Sequence, residues 1–304
     1  MMKAAGFHAF GGPEVLELLE LPTPQAGPGE VRVRVKAAGT QPTDCAVRTG
    51  WNPPGVTITF PHVTGGDFAG VVDEIGAGVT GFSVGDEVLG YRLQGTYAEY
   101  LTVPAEQIVA KPAGIPWEVA GSISASGQTA HTVLEDLKVS EGDTFLVNGA
   151  AGGVGTIAVQ LAVLRGAKVI ATAREDNHAY LRGLGALPVT YGDGLADRVR
   201  ALAPEGVTVA LDTASAEGLR VAAELVADKD RVGTIFAFGV HEELGVRWLS
   251  SRRNQQRLGE LAALVDSGKL TVHVRRTFPL AQASEAHREL ETGHGRGKIV
   301  LLTD

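Results

Sequence analysis

The stretch TFLVNGAAGGVGTIAVQLA, residues 144–162, limits what this chain can fold into more than any other. An apolar run of strand character meets Gly149, Ala150, Gly152, Gly153 and Gly155, and apolar residues at helical spacing (154–166) follow at once. A second strand-like run, AKVIATA (167–173), lies beyond. This is the order of a βαβ unit whose first turn carries a dinucleotide fingerprint, G-x-G-x-x-G, with Ala150 in place of the first glycine. In such a turn Gly152 lets backbone approach a pyrophosphate, and Gly155 lets the helix pack close to the strand. The N–H groups at the helix start, around Gly153 and Val154, face an anion with a partial positive charge. The alternative is a tight βα turn that binds nothing. The strand before, helix after and second strand beyond favour the cradle.

The same alternation runs on. TFLVN (144–148), AKVIATA, LPVT, VTVALD (207–212) and RVGTIFAFG (231–239) read as strands. AYLRGLG, LADRVRALAP, AEGLRVAAELVA and RNQQRLGELAALVDSG read as helices. Strands alternating with helices predict a doubly wound, parallel α/β sheet of Rossmann type. Residues 1 to about 115 differ. VRVRVKA (31–37) alternates valine with a basic residue, the period of a half-buried strand, and the short runs after it are broken by glycine and proline. That predicts a β-rich domain, barrel-like or sandwich-like. The last segment reads strand, helix, strand and is expected to return to the first domain. The expected boundaries are 1–120, 121–266 and 267–304.

Bulk properties exclude several classes. A net charge of −8 argues against a general nucleic-acid binder. A single cysteine allows neither an internal disulfide nor a cysteine-rich zinc site. MMKAAGFHAF lacks a signal-peptide core, and no stretch reaches the roughly 18 apolar residues of a membrane span. A cytoplasmic protein is expected.

Arg174 follows the second strand of the βαβ unit, nineteen residues after Gly155. NAD-binding folds place there an acid that binds the ribose 2′-hydroxyl. A carboxylate would repel a 2′-phosphate, whereas a guanidinium binds one through two parallel hydrogen bonds. This reading predicts NADPH. In the alternative, Arg174 is a solvated strand-end residue with Glu175 and Asp176 as local partners.

GAAGGVG, the preceding EGDTFLV, the upstream GGDFAGVVDEIGAGV and the terminal GRGKIVLL together resemble the zinc-independent medium-chain dehydrogenases/reductases, and within them the NADPH-dependent quinone oxidoreductases. The resemblance covers essentially the whole chain. It implies a GroES-like β domain interrupted by a nucleotide-binding domain and completed by the C-terminal segment, a cleft between the two, and a homodimer. Zinc-using relatives carry a cysteine ligand after the strand VRVRVKAAG and a His-Glu pair before AGVV. Here those places hold Gln41 and Gly66-Asp67, and no two histidines stand at H-x-x-x-H spacing. Cys45 reads as a small packed or partly exposed thiol, and His62 as structural or surface.

Without a Lewis acid, alcohol oxidation is disfavoured, while electron-poor quinones and enones still accept hydride. By resemblance GTQPTDCAVRTG (39–50) lines the active site. Gln41 either donates to a substrate oxygen or stabilises its loop. Asp44 and Arg48 match the family pattern, with bracing of the loop as the other role. Ala46 stands where some quinone reductases have a tyrosine. Thr129, in SGQTAHTVL, matches a position facing the nicotinamide or else is a helix-start hydroxyl. Phe238, Gly239 and Val240 end the last predicted strand and should approach the nicotinamide. Tyr91 and Tyr97 read as β-domain packing; Arg296 and Lys298 reach the cleft in one reading and form a solvated turn in the favoured one. The implied function is reduction of a quinone or an α,β-unsaturated carbonyl by NADPH. The alternatives are an enoyl-thioester reductase, whose tyrosine donor would lie near Trp51, and a low-turnover NADPH-binding sensor or structural protein.

Overall fold

The computed structural model describes residues 1–293 and 295–303. The chain separates into two compact units, Met1–Ala125 with Arg253–Asp304, and Ser126–Arg252.

The first unit is built on the strand Glu30–Gly39, which pairs with Asp67–Ile75, Tyr100–Pro104 and Lys298–Leu302. The full sheet runs Val274–Pro279, Lys298–Leu302, Glu30–Gly39, Asp67–Ile75, Glu87–Tyr91, Ile108–Ala110, with Tyr100–Pro104 beside the third of these. All its pairings are antiparallel except that of Val274–Pro279 with Lys298–Leu302. The valine–arginine alternation works as its period implies. Val31, Val33 and Val35 are buried in a core with Phe7, Phe68, Val72 and Leu101. Arg32 points to the other face, where its Nε and Nη2 donate to the two carboxylate oxygens of Asp73 at 2.9 and 3.0 Å. A three-stranded sheet, Glu17–Leu21, Met2–Phe7 and His62–Val63, completes the β structure.

The second unit is a six-stranded parallel sheet in the order Leu187–Val189, Lys168–Thr172, Thr144–Asn148, Val209–Asp212, Val232–Thr234, Arg247–Trp248. Counted from Thr144–Asn148 this is the order 3-2-1-4-5-6 of the doubly wound dinucleotide fold. The order reverses at Thr144–Asn148, the strand that leads into the glycine turn.

The structure corrects four expectations. Residues 42–48 are not a loop but the helix Pro42–Arg48. Pro42 sits at its first position, where the missing N–H costs nothing, and Asp44 accepts the Gln41 backbone N–H. Helix Gln255–Asp266 was expected to end the nucleotide-binding domain but belongs to the first unit. Its Gln255 Nε2 donates to the Ile108 carbonyl at 2.7 Å. RVGTIFAFG keeps strand form only over Val232–Thr234. There the Thr234 hydroxyl accepts the N–H groups of Phe236 and Ala237 at 3.0 Å each and turns the chain out of the sheet. Phe238–Val240 therefore lies past a bend, and Arg247–Trp248, not this run, is the final strand. Lys298 is buried in a strand, and its Nζ donates to the Thr40 carbonyl at 2.8 Å.

Candidate active site

In the first unit a buried polar cluster surrounds the start of helix Pro42–Arg48. Gln41, at its N-cap, donates from Nε2 to Asp67 Oδ2 at 2.9 Å. The other Asp67 oxygen accepts the Ala125 N–H at 2.7 Å. Asp67 begins a central strand and is wholly buried. Burial raises its pKa, with Lys298, Arg253, the Ala125 N–H and Gln41 opposing. Burial also lowers the Lys298 pKa to about 8, against the pull of Asp67 and Asp44.

Asp44 is the second hub. Its Oδ2 accepts from the Gln41 backbone N–H at 2.9 Å and from the Tyr97 hydroxyl at 2.7 Å. Burial pushes its pKa up to about 6, opposed by the Tyr97 and Gln41 hydrogen bonds and by Lys298. Tyr97 Oη also lies 3.3 Å from His287 Nε2, and His287 Nδ1 lies 3.3 Å from Arg48 Nε. Arg48 can only donate, so Nδ1 accepts and Nε2 carries the ring proton. Burial, with Arg48 adjacent, drops the His287 pKa to about 3. Arg48 is fully buried and also pairs with Glu291 and with the Gly11 carbonyl. Cys45 is packed, its Sγ 3.4 Å from His287 Nδ1, and burial pushes its thiol up to about 12. The roles of Tyr97 and His287 escaped sequence reasoning. They lie 53 and 243 residues from Asp44, and no local spacing links them.

In the second unit the glycine turn has the form a pyrophosphate needs. Gly149 has φ +73°. Gly152 caps helix Gly153–Leu164, and a Cβ there would meet only the Gly149 carbonyl, at 3.4 Å. The first intrahelical bond runs from Thr156 N–H to the Gly152 carbonyl, so the N–H groups of Gly153, Val154 and Gly155 precede it. At Gly155 a Cβ would lie 2.7 Å from Ala150 Cα, which explains the small residues where helix meets strand. Ala150 is buried, whereas Gly152, Gly153 and Val154 are half-buried. The residues fit a dinucleotide: an open backbone cradle at a helix N-terminus, at the point where strand order reverses.

Arg174 is exposed, two residues past strand Lys168–Thr172, and its Nε donates to Tyr191 Oη at 3.2 Å. Glu175 and Asp176 enter the short helix Glu175–Asn177. Thr129 is half-buried on helix Ser124–Asp136. Phe238 is exposed, with its ring 5.2 Å from that of Trp248. Gly239 has φ +85° and caps helix Val240–Leu244. Among the described residues no group of three or more His, Cys, Asp or Glu is placed to hold a metal, and no helix is long and apolar enough to cross a membrane.

Fold and cradle together define a nicotinamide-dinucleotide oxidoreductase. Residues 27–113 match the alcohol dehydrogenase GroES-like domain, and 184–301 match the family described as zinc-binding dehydrogenase. The chain is 31% identical over 334 residues to a quinone oxidoreductase of Pseudomonas aeruginosa, covering 99% of this chain and all of that protein. It is 33% identical to a 2-haloacrylate reductase of a Burkholderia species, covering 99% of each. It superposes on a mycobacterial protein solved in complex with NADPH with TM-score 0.87 and 31% identity, covering 99% of this chain and 100% of that one. The chain belongs to the medium-chain dehydrogenase/reductase family, in its zinc-independent, quinone-oxidoreductase-like branch.

Proposed function

We propose that the protein reduces quinones or α,β-unsaturated carbonyls with NADPH and without a metal. The observation that carries the reading is the Gln41–Asp67 hydrogen bond. It joins two of the positions where zinc-using relatives keep ligands, and it ties one amide N–H of Gln41 to one carboxylate oxygen of Asp67. At Gly66, the remaining position, a Cβ would lie 3.3 Å from Arg253 Nη1. Two cations of the protein itself, Arg253 and Lys298, already act on the Asp67 carboxylate, in the role a metal ion would otherwise fill.

A bound nicotinamide supplies the hydride. With no Lewis acid to polarise a carbonyl, the acceptor must be electron-poor in itself. The names of the Pseudomonas and Burkholderia relatives agree with such acceptors. In this reading Ala150, Gly152, Gly153, Val154 and Gly155 hold the pyrophosphate, and Arg174 takes the 2′-phosphate. Thr129, Phe238, Gly239 and Val240 line the nicotinamide end. Gln41, oriented by Asp67, offers an amide N–H to the acceptor oxygen, and Asp44 braces the Gln41 backbone. The resemblance further supports a homodimer, and the single cysteine suits the cytoplasm.

The test follows NADPH absorbance with a quinone, an enone and an enoyl thioester in turn. Turnover of the first or second is expected. Turnover of the thioester alone, or tight NADPH binding with no turnover, would overturn the reading.

A further inference from the structure

Residues 190–194 connect strand Leu187–Val189 to helix Leu195–Leu202. Little in the loop itself holds it in shape. Thr190, Tyr191 and Asp193 are exposed, and Gly192 and Gly194 adopt φ of +87° and +74°. A loop of this kind would ordinarily sample many conformations.

Arg198, on the first turn of the following helix, removes that freedom. Its Nε and Nη2 donate to the Thr190 carbonyl at 3.1 and 2.9 Å. Nη2 also reaches the carbonyls of Tyr191 at 3.4 Å and Gly192 at 3.1 Å, and Nη1 donates to that of Asp193 at 2.6 Å. One guanidinium thus gathers four consecutive carbonyl oxygens. Only a planar fork of five N–H donors can do this; an ammonium is a compact point donor.

What the loop presents is Tyr191, and the Tyr191 hydroxyl accepts from Arg174 Nε. The series runs from Arg198 to the loop backbone, to Tyr191, to Arg174. An exposed arginine normally spreads over many rotamers and loses that freedom when it binds an anion. With Nε tied to Tyr191, Arg174 is ordered beforehand, and its Nη1 and Nη2 groups remain for a phosphate.

We propose that Arg198 is a positioning residue for cofactor choice: it fixes Tyr191, and through it Arg174, for the 2′-phosphate of NADPH. The inference rests on the reading that Arg174 binds that phosphate. Arg198 itself needs no contact with the cofactor.

The test compares NADPH and NADH affinity by fluorescence titration for the wild type, Arg174→Ala, Arg198→Ala, Arg198→Lys and the double variant Arg174→Ala/Arg198→Ala. Arg198→Ala should weaken NADPH about fivefold, the worth of one hydrogen bond, and leave NADH unchanged. Arg198→Lys, which keeps the charge and loses the fork, should recover only part of that loss. It also serves if the alanine variant fails to fold. The double variant should bind NADPH no worse than Arg174→Ala, because the two residues act in series. If Arg174→Ala collapses the preference for NADPH and the Arg198 variants leave it intact, the positioning role is overturned and the phosphate reading stands. Equal weakening of both cofactors by the Arg198 variants would also overturn it, as that is the mark of a merely structural residue. An unchanged preference in Arg174→Ala would overturn both.

Discussion

Tyr97 donates its hydroxyl proton to Asp44 at 2.7 Å, while the same oxygen lies 3.3 Å from His287 Nε2. One phenol therefore joins an acid whose pKa burial lifts to about 6 and an imidazole whose pKa burial, with Arg48, drops to about 3.

The two groups push stability in opposite directions as pH changes. Between about pH 4 and 6 folded Asp44 holds a proton that unfolded Asp44 has lost, so its contribution falls as pH rises. Between about pH 3 and 6.5 unfolded His287 holds a proton that the folded state lacks, so its contribution rises with pH. Asp44→Asn should make urea stability climb more steeply from pH 4 to 6 than in the wild type, and His287→Gln less steeply. Each change in slope is at most about 1.4 kcal/mol per pH unit. Parallel curves for wild type and variants would refute the assignment.

Gly152 and Gly155 should separate binding from folding. Gly152→Val puts a branched side chain where a Cβ meets only the Gly149 carbonyl, at 3.4 Å, so NADPH binding is lost and the melting temperature barely moves. Gly155→Ala drives a methyl group against Ala150 and should cost about 1–3 kcal/mol of stability. Thermal melts with NADPH titrations read both, and retained NADPH affinity in Gly152→Val would show that the turn is not the cradle.

Gln41→Ala should lower kcat/KM for the acceptor about tenfold, the worth of one hydrogen bond of about 1.4 kcal/mol. If Gln41 served only its loop, the variant would melt earlier with unchanged kcat/KM.

Incubation with a chelator should leave activity intact. Stoichiometric zinc in the purified protein, with activity lost on its removal and restored on its return, would contradict the metal-free mechanism.

The sequence carried the fold class where periodicity and burial coincide. Val31, Val33 and Val35 face one core at every second position, and the glycine turn announces its sheet because strand, turn and helix are contiguous. It failed where one side chain overrides a local pattern. Thr234 ends a strand that the apolar run Ile235–Phe238 continues on paper, and Pro42 with Asp44 starts a helix within what reads as a loop. Lys298 looked solvated because lysine usually is, yet the Thr40 carbonyl and two nearby carboxylates receive it. The cluster of Asp44, Tyr97 and His287 was illegible for another reason: its members are far apart in the chain, and His287 meets the other two only after the C-terminal segment has returned to the first sheet.

That return bears on the order in which the chain folds. Ala125 and Arg253, the last residue before the inserted unit and the first after it, are both tied to the start of strand Asp67–Ile75: Ala125 N–H to Asp67, and Arg253 Nη1 to the Gly66 carbonyl at 3.4 Å. To bring them there, an unfolded insert of residues 126–252 imposes a loop-closure entropy on the order of 4 kcal/mol. Within the insert, Arg252 donates from Nη1 and Nη2 to the two oxygens of Asp136, on the helix that begins it. A folded insert therefore already holds its own ends near each other, and most of that entropy is spent before the outer strands meet. Loop-closure entropy thus favours assembly from the inside outward, with the Arg252–Asp136 pair as one of the contacts that draws the end of the insert towards its first helix.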